Sequence, residues 1–438
     1  MASPSLQDGI DQAGSPIELL WQTDPAPWTP PLVEPEYVGW RQEQAAWQSS
    51  VAIMDLSYHM WDTYIEGPDA TRMLRDLSAN NYAKFAVNQA KQFVPVTEEG
   101  LLVGDGILLR RAENEYTLTG RPTAQMWITF HARGYDVELT SDPDCQRDRT
   151  HRKKLFRYQI QGPRALELIE SAFGAPIPET PFFHATPVTL EGRHFRALRH
   201  GMAGQAGYEF LGDQADAAAV KEALMRAGEP LGLVHVGALA YPSAQTESGW
   251  IPAPTPAIYT APSLLGYRKW LSLNTPDGRQ PIHGSFFSAN IEDYYRSPYE
   301  LGYGRSISFN HDFLGRDALE KSTVDIRRTK VTLVLDPDDT RQVFGDDYVL
   351  TRASQRVEAG SELVGTTEFS ARNDPAGTIL SLAVIDKEHA APGTEVTVVW
   401  GDHPGPGTAP DADLGFPRLR ATVRPVPFNE WARANYRR

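Results

Sequence analysis

Two stretches of the sequence follow one pattern, and this repetition limits the possible folds more than any other feature. Residues 63–77 (TYIEGPDATRMLRDL) and residues 158–172 (YQIQGPRALELIESA) each pass from a β-rich run through Gly-Pro into apolar residues at helical spacing. Proline is tolerated at a helix start, because the first amide groups of a helix have no partner within it. The two Gly-Pro pairs lie 95 residues apart, so the pattern predicts two copies of one α/β unit.

The segments that follow the two Gly-Pro pairs match as well. EYTLTG (115–120) and GYEFLG (207–212) both read as strands that close on a glycine and precede an amphipathic helix. These helices end near Gly134 in the first copy and near Gly228 in the second. We predict two β-α-β-β-α units with the split βαβ plan of a ferredoxin-like fold. The alternative is a coincidence between two unrelated α+β segments.

The C-terminal part of the chain has a different character. Beyond about residue 328, runs such as KVTLVLD, TILSLAVID and TEVTVVWG are apolar and β-branched, which is typical of strands. We predict a small all-β domain there, a barrel or a sandwich, and we interpret the acidic segment 336–347 as a solvated loop. The predicted fold class is therefore α+β. The predicted domains are residues 20–60 together with 152–265, residues 61–151, a connecting segment at 266–327, and residues 328–438.

Composition limits the possible partners and compartments. The formal net charge of -14 opposes general binding to nucleic acid or to an anionic membrane surface. The single cysteine, Cys145, excludes an internal disulfide framework and a cysteine-based zinc or iron–sulfur cluster, and no metal site is expected. The N-terminal segment lacks the apolar core of a secretory signal, and no run of about 18 apolar residues follows. We therefore expect a cytoplasmic enzyme or binding protein.

The loop RHGMAGQAGYEFLG (199–212) carries three glycines at a spacing of three, as in some phosphate-binding loops. A dinucleotide-binding loop must end a strand and open a helix. Here strand-like runs lie on both sides of the glycines, and the helix begins only after Gly212. The sequence therefore predicts a β-hairpin rather than a dinucleotide site. The motifs G-x-S-x-G and H-E-x-x-H, which would indicate a serine or zinc hydrolase, do not occur.

Several motifs, in order along the chain, resemble one enzyme family. Gly-Tyr-Glu at 207–209 is similar to a strand of the glycine-cleavage aminomethyltransferase (T-protein) superfamily, in which the glutamate reads the pterin of tetrahydrofolate. The runs WRQEQAAWQSS, AKQFVPVT, RHGMAG, ESGWIPAPTPAIYT and SANIEDYY resemble the tetrahydrofolate-dependent aromatic O-demethylases, such as vanillate and 3-O-methylgallate O-demethylases. The resemblance covers roughly residues 25–430. It implies two ferredoxin-like domains and a C-terminal β-barrel domain in a three-domain ring around a folate channel.

The resemblance also implies a reaction. A methyl group would move from an aryl methyl ether to N5 of tetrahydrofolate, giving 5-methyltetrahydrofolate and a phenol. The expected partners are a methoxylated aromatic acid and tetrahydrofolate, without nucleic acid, membrane or an obligatory protein. Where vanillate demethylases read Asp-Gln-Thr-His-His, this chain reads Asp-Leu-Ser-Tyr-His at 55–59. The loss of polar groups favours a substrate without vanillate's para-hydroxyl, such as a chlorinated methoxybenzoate of the dicamba type.

Three alternatives stay open. One is a demethylase of vanillate or syringate. The second is a glycine-cleavage aminomethyltransferase with a lipoyl-protein partner, against which Gly104-Asp105 counts, because that family has an Asp-Asp pair there. The third is a non-catalytic folate-binding module, which usually carries a reactive cysteine in a Lys-Gly-Cys-Tyr motif that Cys145 does not match.

The resemblance assigns roles to individual residues. Tyr241 is the expected donor to the ether oxygen, since a phenol of pKa about 10 stays protonated at neutral pH. His59 is the second catalytic candidate. Arg121, Leu56 and Trp28 are expected to contact the substrate, with Arg121 holding a benzoate carboxylate through two parallel hydrogen bonds. Each of these residues could instead have only a packing or solvated role.

The resemblance also implies a set of folate contacts. Glu209 is expected to accept hydrogen bonds from the edge of the pterin. Trp250 would face the p-aminobenzoate ring, and Glu247 would add a polar contact. Gln92 and Tyr208 could line the channel, although packing explains either residue equally well.

Overall fold

A computed structural model describes residues 3–23, 25, 32–145 and 148–435, and these residues form three sheets. In chain order the strands are β1 (Val51–Asp55), β2 (Trp61–Glu66), β3 (Ala90–Phe93), β4 (Gly106–Ala112), β5 (Glu115–Gly120), β6 (Glu138–Asp142), β7 (Leu155–Gln161), β8 (Ala185–Leu190), β9 (Arg193–Leu198), β10 (Gly207–Asp213), β11 (Leu233–Val236), β12 (Arg328–Leu335), β13 (Leu350–Thr351), β14 (Arg356–Ala359), β15 (Glu362–Asn373), β16 (Thr378–Asp386), β17 (Glu395–Val399) and β18 (Arg418–Arg424). The α-helices are α1 (Leu6–Ala13), α2 (Pro16–Leu20), α3 (Trp40–Ser49), α4 (Ala70–Asp76), α5 (Pro122–His131), α6 (Ala165–Phe173), α7 (Ala217–Gly228), α8 (Ala240–Ser248), α9 (Leu265–Trp270), α10 (Arg316–Lys321), α11 (Pro337–Phe344) and α12 (Glu430–Asn435).

The first two sheets repeat one topology. One has the strand order β3-β4-β5-β2-β6, and the other has the order β8-β9-β10-β7-β1-β11. The equivalent strands β2 and β7 each lead into a helix and then into a hairpin, as in a ferredoxin-like unit. The second sheet differs at its end, because the N-terminal strand β1 inserts between β7 and β11 and pairs in parallel with β11. The duplication predicted from the sequence is therefore present, with an added strand in the second copy.

The Gly-Pro positions have the same local structure in both copies. Gly67 has φ 135° and Gly162 has φ 137°, a region that favours glycine. A Cβ atom on Gly67 would lie 2.5 Å from the carbonyl oxygen of Asp136, and one on Gly162 would lie 2.5 Å from that of Ser50. Both glycines therefore allow the neighbouring strand to approach closely, which explains why the repeat keeps them.

The third sheet closes into an antiparallel barrel. Strands β15, β14, β17, β18, β12 and β16 pair in that order, and β16 pairs back with β15. Alternate apolar residues of these strands fill the interior, among them Leu333, Val357 and Val398. The predicted all-β C-terminal domain is a barrel rather than a sandwich.

The acidic segment 336–347 was expected to be a solvated loop, and this prediction is wrong. Most of it forms α11, whose N-cap Asp336 accepts hydrogen bonds from the amides of Asp338 (3.0 Å) and Asp339 (3.1 Å). Pro337 fits the first helical position, and carboxylates in the first turn interact favourably with the helix dipole. Asp336, Asp338 and Asp339 therefore stabilise the N-terminus of a helix.

The strands of the first sheet lie within residues 61–142. Those of the second lie at 51–55 and within 155–236, and those of the barrel lie within 328–424. The exact domain boundaries remain a prediction.

Candidate active site

A cavity of about 570 Å³ lies between the unit of the first sheet, the segments that follow α8 and α9, and the barrel. Its described walls come from the loop before β2, the start of α5, the segment after α8, and the link between β13 and β14 of the barrel. The side chains that argue for function are His59, Trp61, Arg121, Trp250, Arg279 and Arg352. A cavity of this size falls in the range of about 300–1,000 Å³ that is usual for small-molecule sites.

His59 and Tyr241 are packed against each other beside this cavity. Their ring centroids are 5.2 Å apart in an edge-to-face arrangement. Burial, together with the charges of Arg157 and Lys153, lowers the pKa of His59 to about 3. Burial and the carboxylate of Glu209 raise the pKa of Tyr241 above its ordinary value. At neutral pH the site therefore contains a neutral imidazole and a protonated phenol.

The hydroxyl of Tyr241 is a free hydrogen-bonding group. The side chain is buried in the first turn of α8, and its oxygen has no hydrogen-bond partner among the described residues. A buried hydroxyl without a partner is costly, so a ligand or an ordered water at this position would stabilise it.

Arg121 and Arg352, from different domains, are two of the four arginines among the described lining residues. Arg121 lies between β5 and α5, and its Nη2 is 3.5 Å from Oε1 of Gln280. Burial lowers the pKa of Arg121. Burial, together with the charge of Arg121, lowers the pKa of Arg352 to about 9. Two guanidinium groups that repel each other in one cavity form a suitable site for a carboxylate.

Glu209 belongs to a buried network of charges between the first two sheets. It forms an ion pair with Arg157 on the neighbouring strand β7. Arg157 also donates to Asp62 on β2 (3.1 Å) and to Oγ1 of Thr119 on β5 (2.9 Å). Lys153 lies 3.0 Å from the other oxygen of Asp62. Burial opposes ionisation of Asp62, but Arg157 and Lys153 overcome this effect and hold its pKa below the ordinary value.

The hairpin predicted at 199–212 positions Glu209. Residues 199–206 connect β9 to β10, and the two strands pair antiparallel. The side chain of Gln161 on β7 braces the loop, because its Oε1 accepts from the amide of Ala203 (2.6 Å) and its Nε2 donates to the carbonyl of Gln205 (2.9 Å). The glycine-rich segment is thus a hairpin, as predicted, and the dinucleotide interpretation stays rejected.

Gln92 and Trp250 meet at one buried carboxylate, that of Asp105. Oδ2 of Asp105 accepts from Nε2 of Gln92 (2.6 Å), Nε1 of Trp250 (2.7 Å) and the hydroxyl of Tyr303 (2.5 Å). Burial raises the pKa of Asp105, although these three donors partly offset the effect. Trp250 also lines the large cavity, so it connects the cavity with this cluster.

Tyr208 and Leu56 lie in hydrophobic clusters. Tyr208 points to the opposite face of β10 from Glu209 and packs in the hydrophobic core with Phe210, so the structure does not bring it to the site. Leu56 is buried in the same apolar cluster as Tyr241 and contributes to the wall behind it. Trp28 lies outside the described residues.

Glu247 has a different set of contacts from those predicted. Its carboxylate accepts from Nε1 of Trp47 (2.9 Å), Nε2 of Gln48 (2.9 Å) and Nδ2 of Asn373 (3.0 Å). These donors belong to α3 and to barrel strand β15. The contacts give Glu247 a role in joining α3, α8 and the barrel, and its contact with folate stays a prediction.

Sequence reasoning missed Arg157, Arg352 and Asp105. A signal for Arg157 was present, since Arg157, Gln159 and Gln161 alternate with apolar residues along β7 and are all buried. A strand with a buried polar face must contact another polar surface. No comparable pattern marks Arg352, because its approach to Arg121 depends on how the barrel docks.

Fold and site together define the class of this protein. Residues 25–254 match the family described as the GCVT N-terminal domain, and the chain belongs to this family, that of the T-protein aminomethyltransferases. The crystal structure of glycine cleavage system aminomethyltransferase T from Bartonella henselae matches with a TM-score of 0.64 and 18% identity over 96% of both chains. The predicted α+β fold is confirmed.

The more specific likeness is to enzymes that act on aromatic compounds. The chain is 37% identical to syringate O-demethylase of Sphingobium sp. strain SYK-6, with 99% of this chain and 97% of that protein covered. It is 29% identical to sesamin methylene transferase of Sinomonas sp. strain No.22, with 91% of each covered. These comparisons confirm the predicted family and the predicted class of enzyme, a methyltransferase. Within residues 3–23, 25, 32–145 and 148–435, no helix has the length and apolarity needed to cross a membrane.

Proposed function

We propose that this chain is a tetrahydrofolate-dependent O-demethylase of a methoxylated aromatic acid. The ether methyl is transferred to N5 of tetrahydrofolate, and the products are 5-methyltetrahydrofolate and a phenol. One juxtaposition carries the proposal: a buried phenol without a hydrogen-bond partner among the described residues lies beside a cavity whose lining includes Arg121 and Arg352. The 37% identity to a syringate O-demethylase supports the same reaction.

The described residues offer a site for the folate. Glu209, a buried carboxylate on β10, suits the amide-and-amine edge of a pterin, and Trp250 offers an aromatic wall. Gln92 contributes through Asp105, to which it donates a hydrogen bond. Tetrahydrofolate supplies the nucleophilic nitrogen, whose proton is released as the new N–CH₃ bond forms.

Tyr241 assists departure of the phenol. Breaking the methyl–oxygen bond leaves negative charge on the ether oxygen, and a hydrogen bond or proton from Tyr241 stabilises that charge. Its raised pKa keeps the proton on the hydroxyl until the charge develops. His59, which is neutral at physiological pH, orients Tyr241 and the substrate by contact and does not act as a cationic acid.

Arg121 and Arg352 hold the carboxylate of the substrate. A benzoate bound between them relieves their mutual repulsion and fixes the ring relative to Tyr241. For the ring substituents we keep the prediction of a chlorinated methoxybenzoate of the dicamba type, with syringate and vanillate as the alternatives. Both reacting groups are carried on small molecules, so we expect the reaction in the cytoplasm without an obligatory protein partner.

The purified chain tests this proposal. It is incubated with tetrahydrofolate and, separately, with dicamba, vanillate, syringate and unmethylated benzoate, and 5-methyltetrahydrofolate is measured by liquid chromatography. We expect product with at least one methoxybenzoate and none with benzoate. No product from any of them would contradict demethylation, and equal turnover of vanillate and dicamba would contradict the chlorinated preference.

A further inference from the structure

A second cavity, of about 160 Å³, lies between the two ferredoxin-like sheets. Its described walls come from β2, β4 and β5 of the first sheet and from β7, β9 and β10 of the second. It shares no described lining residue with the large cavity. Exposed His194 and Asp213 lie at its edge, so the cavity reaches the protein surface.

Much of this second cavity has apolar walls. A protein cavity of about 150 Å³ lined by apolar side chains holds one benzene molecule, so this space matches a single six-membered ring. The apolar lining residues are Ile107, Leu109, Leu155, Phe195, Leu198 and Leu211.

The polar lining groups favour an anion. Arg196 donates from Nε to Oδ1 of Asn88 (3.1 Å) and from Nη2 to the carbonyl oxygen of Arg111 (3.5 Å), and no carboxylate forms an ion pair with it among the described residues. Arg111 and Arg157, in contrast, have carboxylate partners, with Arg111 2.7 Å from Glu66. Burial, together with the charge of Arg111, lowers the pKa of Arg196.

Three further polar atoms of the lining residues have unused hydrogen-bonding capacity. The hydroxyls of Tyr64 and Thr117 and the Nε–H of Arg111 are buried, and none has a hydrogen-bond partner in the part of the chain that the structure describes. Such groups cost stability unless a ligand or water satisfies them.

We propose that this second cavity is a separate binding site for a monocyclic aromatic carboxylate. The ring packs against the leucine-rich wall, and the carboxylate forms an ion pair with Arg196 and accepts hydrogen bonds from the neighbouring donors. The site needs neither folate nor turnover and is therefore independent of the proposed reaction.

Equilibrium dialysis with radiolabelled benzoate counts the sites on the full chain, since benzoate has no methyl group to transfer. Wild type is expected to bind two molecules per chain and Arg121→Met one at benzoate concentrations that leave its weakened large cavity mostly empty, because this variant loses one of the two charged carboxylate contacts there. Adding Arg196→Met to Arg121→Met is expected to weaken the remaining site at least about tenfold, as loss of a charged hydrogen-bond partner does. Arg193→Met on the same strand lies outside the cavity and is expected to change nothing.

Equal benzoate binding by Arg121→Met and Arg121→Met/Arg196→Met would overturn the proposal, as would equal displacement of benzoate by inorganic phosphate, which has no ring. Should Arg196→Met fail to fold, Ile107→Phe in the Arg121→Met background fills the cavity and retains every donor. It is expected to lose the same site. Dialysis reports on this site and formation of 5-methyltetrahydrofolate reports on demethylation. The failure of one proposal can therefore be distinguished from the failure of the other.

Discussion

Arg157 contacts Glu209 and acts through its charge on His59 and Tyr241 at the candidate active site. It forms an ion pair with Glu209, donates to Asp62, and lowers the pKa of His59 through its charge. A buried charge is tolerated only when partners compensate it, and here two carboxylates do so. Its removal would leave Asp62 with Lys153 as its ion-pair partner and Glu209 with no ion-pair partner among the described residues. Arg157, which holds the carboxylate of Glu209 that is proposed to contact folate, is thus also a determinant of stability.

Arg157→Met is expected to lower the free energy of unfolding by about 3–5 kcal/mol, because it leaves uncompensated buried carboxylates. Urea unfolding measures this change, and a tetrahydrofolate titration should show weaker binding in the folded variant. Arg157→Lys restores the charge without the two-armed geometry and should recover stability more than folate affinity. Arg164→Met, which removes an exposed pair with Glu167, should cost no more than about 1 kcal/mol.

Tyr241→Phe separates a chemical role from a packing role. We expect kcat to fall by about 10²–10⁴-fold with little change in the KM of the aromatic acid, because only the transition state carries charge on the ether oxygen. Thermal unfolding should be unchanged or slightly raised, since the lost hydroxyl has no partner among the described residues. An unchanged kcat would leave Tyr241 a packing residue.

His59 predicts a pH dependence of stability. Its pKa falls from 6.5 to about 3 on burial near Arg157 and Lys153, so the unfolded chain binds a proton more readily. Stability from this group is complete above about pH 6.5 and is lost as the pH falls towards 3. When the pH is lowered from 7 to 5, the unfolding free energy of His59→Gln should fall by about 2 kcal/mol less than that of wild type. Urea unfolding at both pH values tests this, with exposed His194→Gln as the control for loss of a histidine.

At the scale of elements, the hairpin between β9 and β10 was predictable from the sequence. The residues that hold its loop in place were not. Strand-like runs on both sides of the glycines sufficed to reject a dinucleotide loop. Alternation along β10 also places Tyr208 and Glu209 on opposite faces of the strand, which favours the packing alternative for Tyr208. The braces on the loop come from Gln161, far away in the sequence, and no local pattern indicates them.

Gly207→Ala tests how the hairpin positions Glu209. Gly207 has φ 146°, and a Cβ there would lie 1.9 Å from the carbonyl oxygen of Ile160 on β7. We expect a loss of about 3 kcal/mol in unfolding free energy and weaker folate binding, because β10 must move away from β7. Gly192→Ala in the adjacent hairpin is the matched control, since its φ is 80° with no atom within 4 Å of a Cβ. It should cost about 1 kcal/mol and leave folate binding unchanged.

At the scale of the whole molecule, the active site depends on the docking of three domains. The first sheet's unit supplies Arg121 and the barrel supplies Arg352 to the cavity, and the second sheet carries Glu209, which Arg157 connects to Asp62 of the first sheet. Glu247 joins α3 and α8 to Asn373 of the barrel, so a buried carboxylate holds this arrangement in place. The repeats and strand patterns predicted each domain, but which side chains meet between domains depends on long-range packing that those patterns do not encode.

The contribution of the barrel to substrate binding is testable through Arg352. Arg352→Gln should raise the KM of a methoxybenzoate by about tenfold or more, because one of two charged contacts to the carboxylate is lost. Guaiacol, a methoxyphenol without a carboxylate, should be turned over equally by wild type and variant. Arg121→Gln should give the same selective loss from the other side of the cavity. A similar loss for both substrates would mean that Arg352 supports the docking of the barrel rather than the carboxylate.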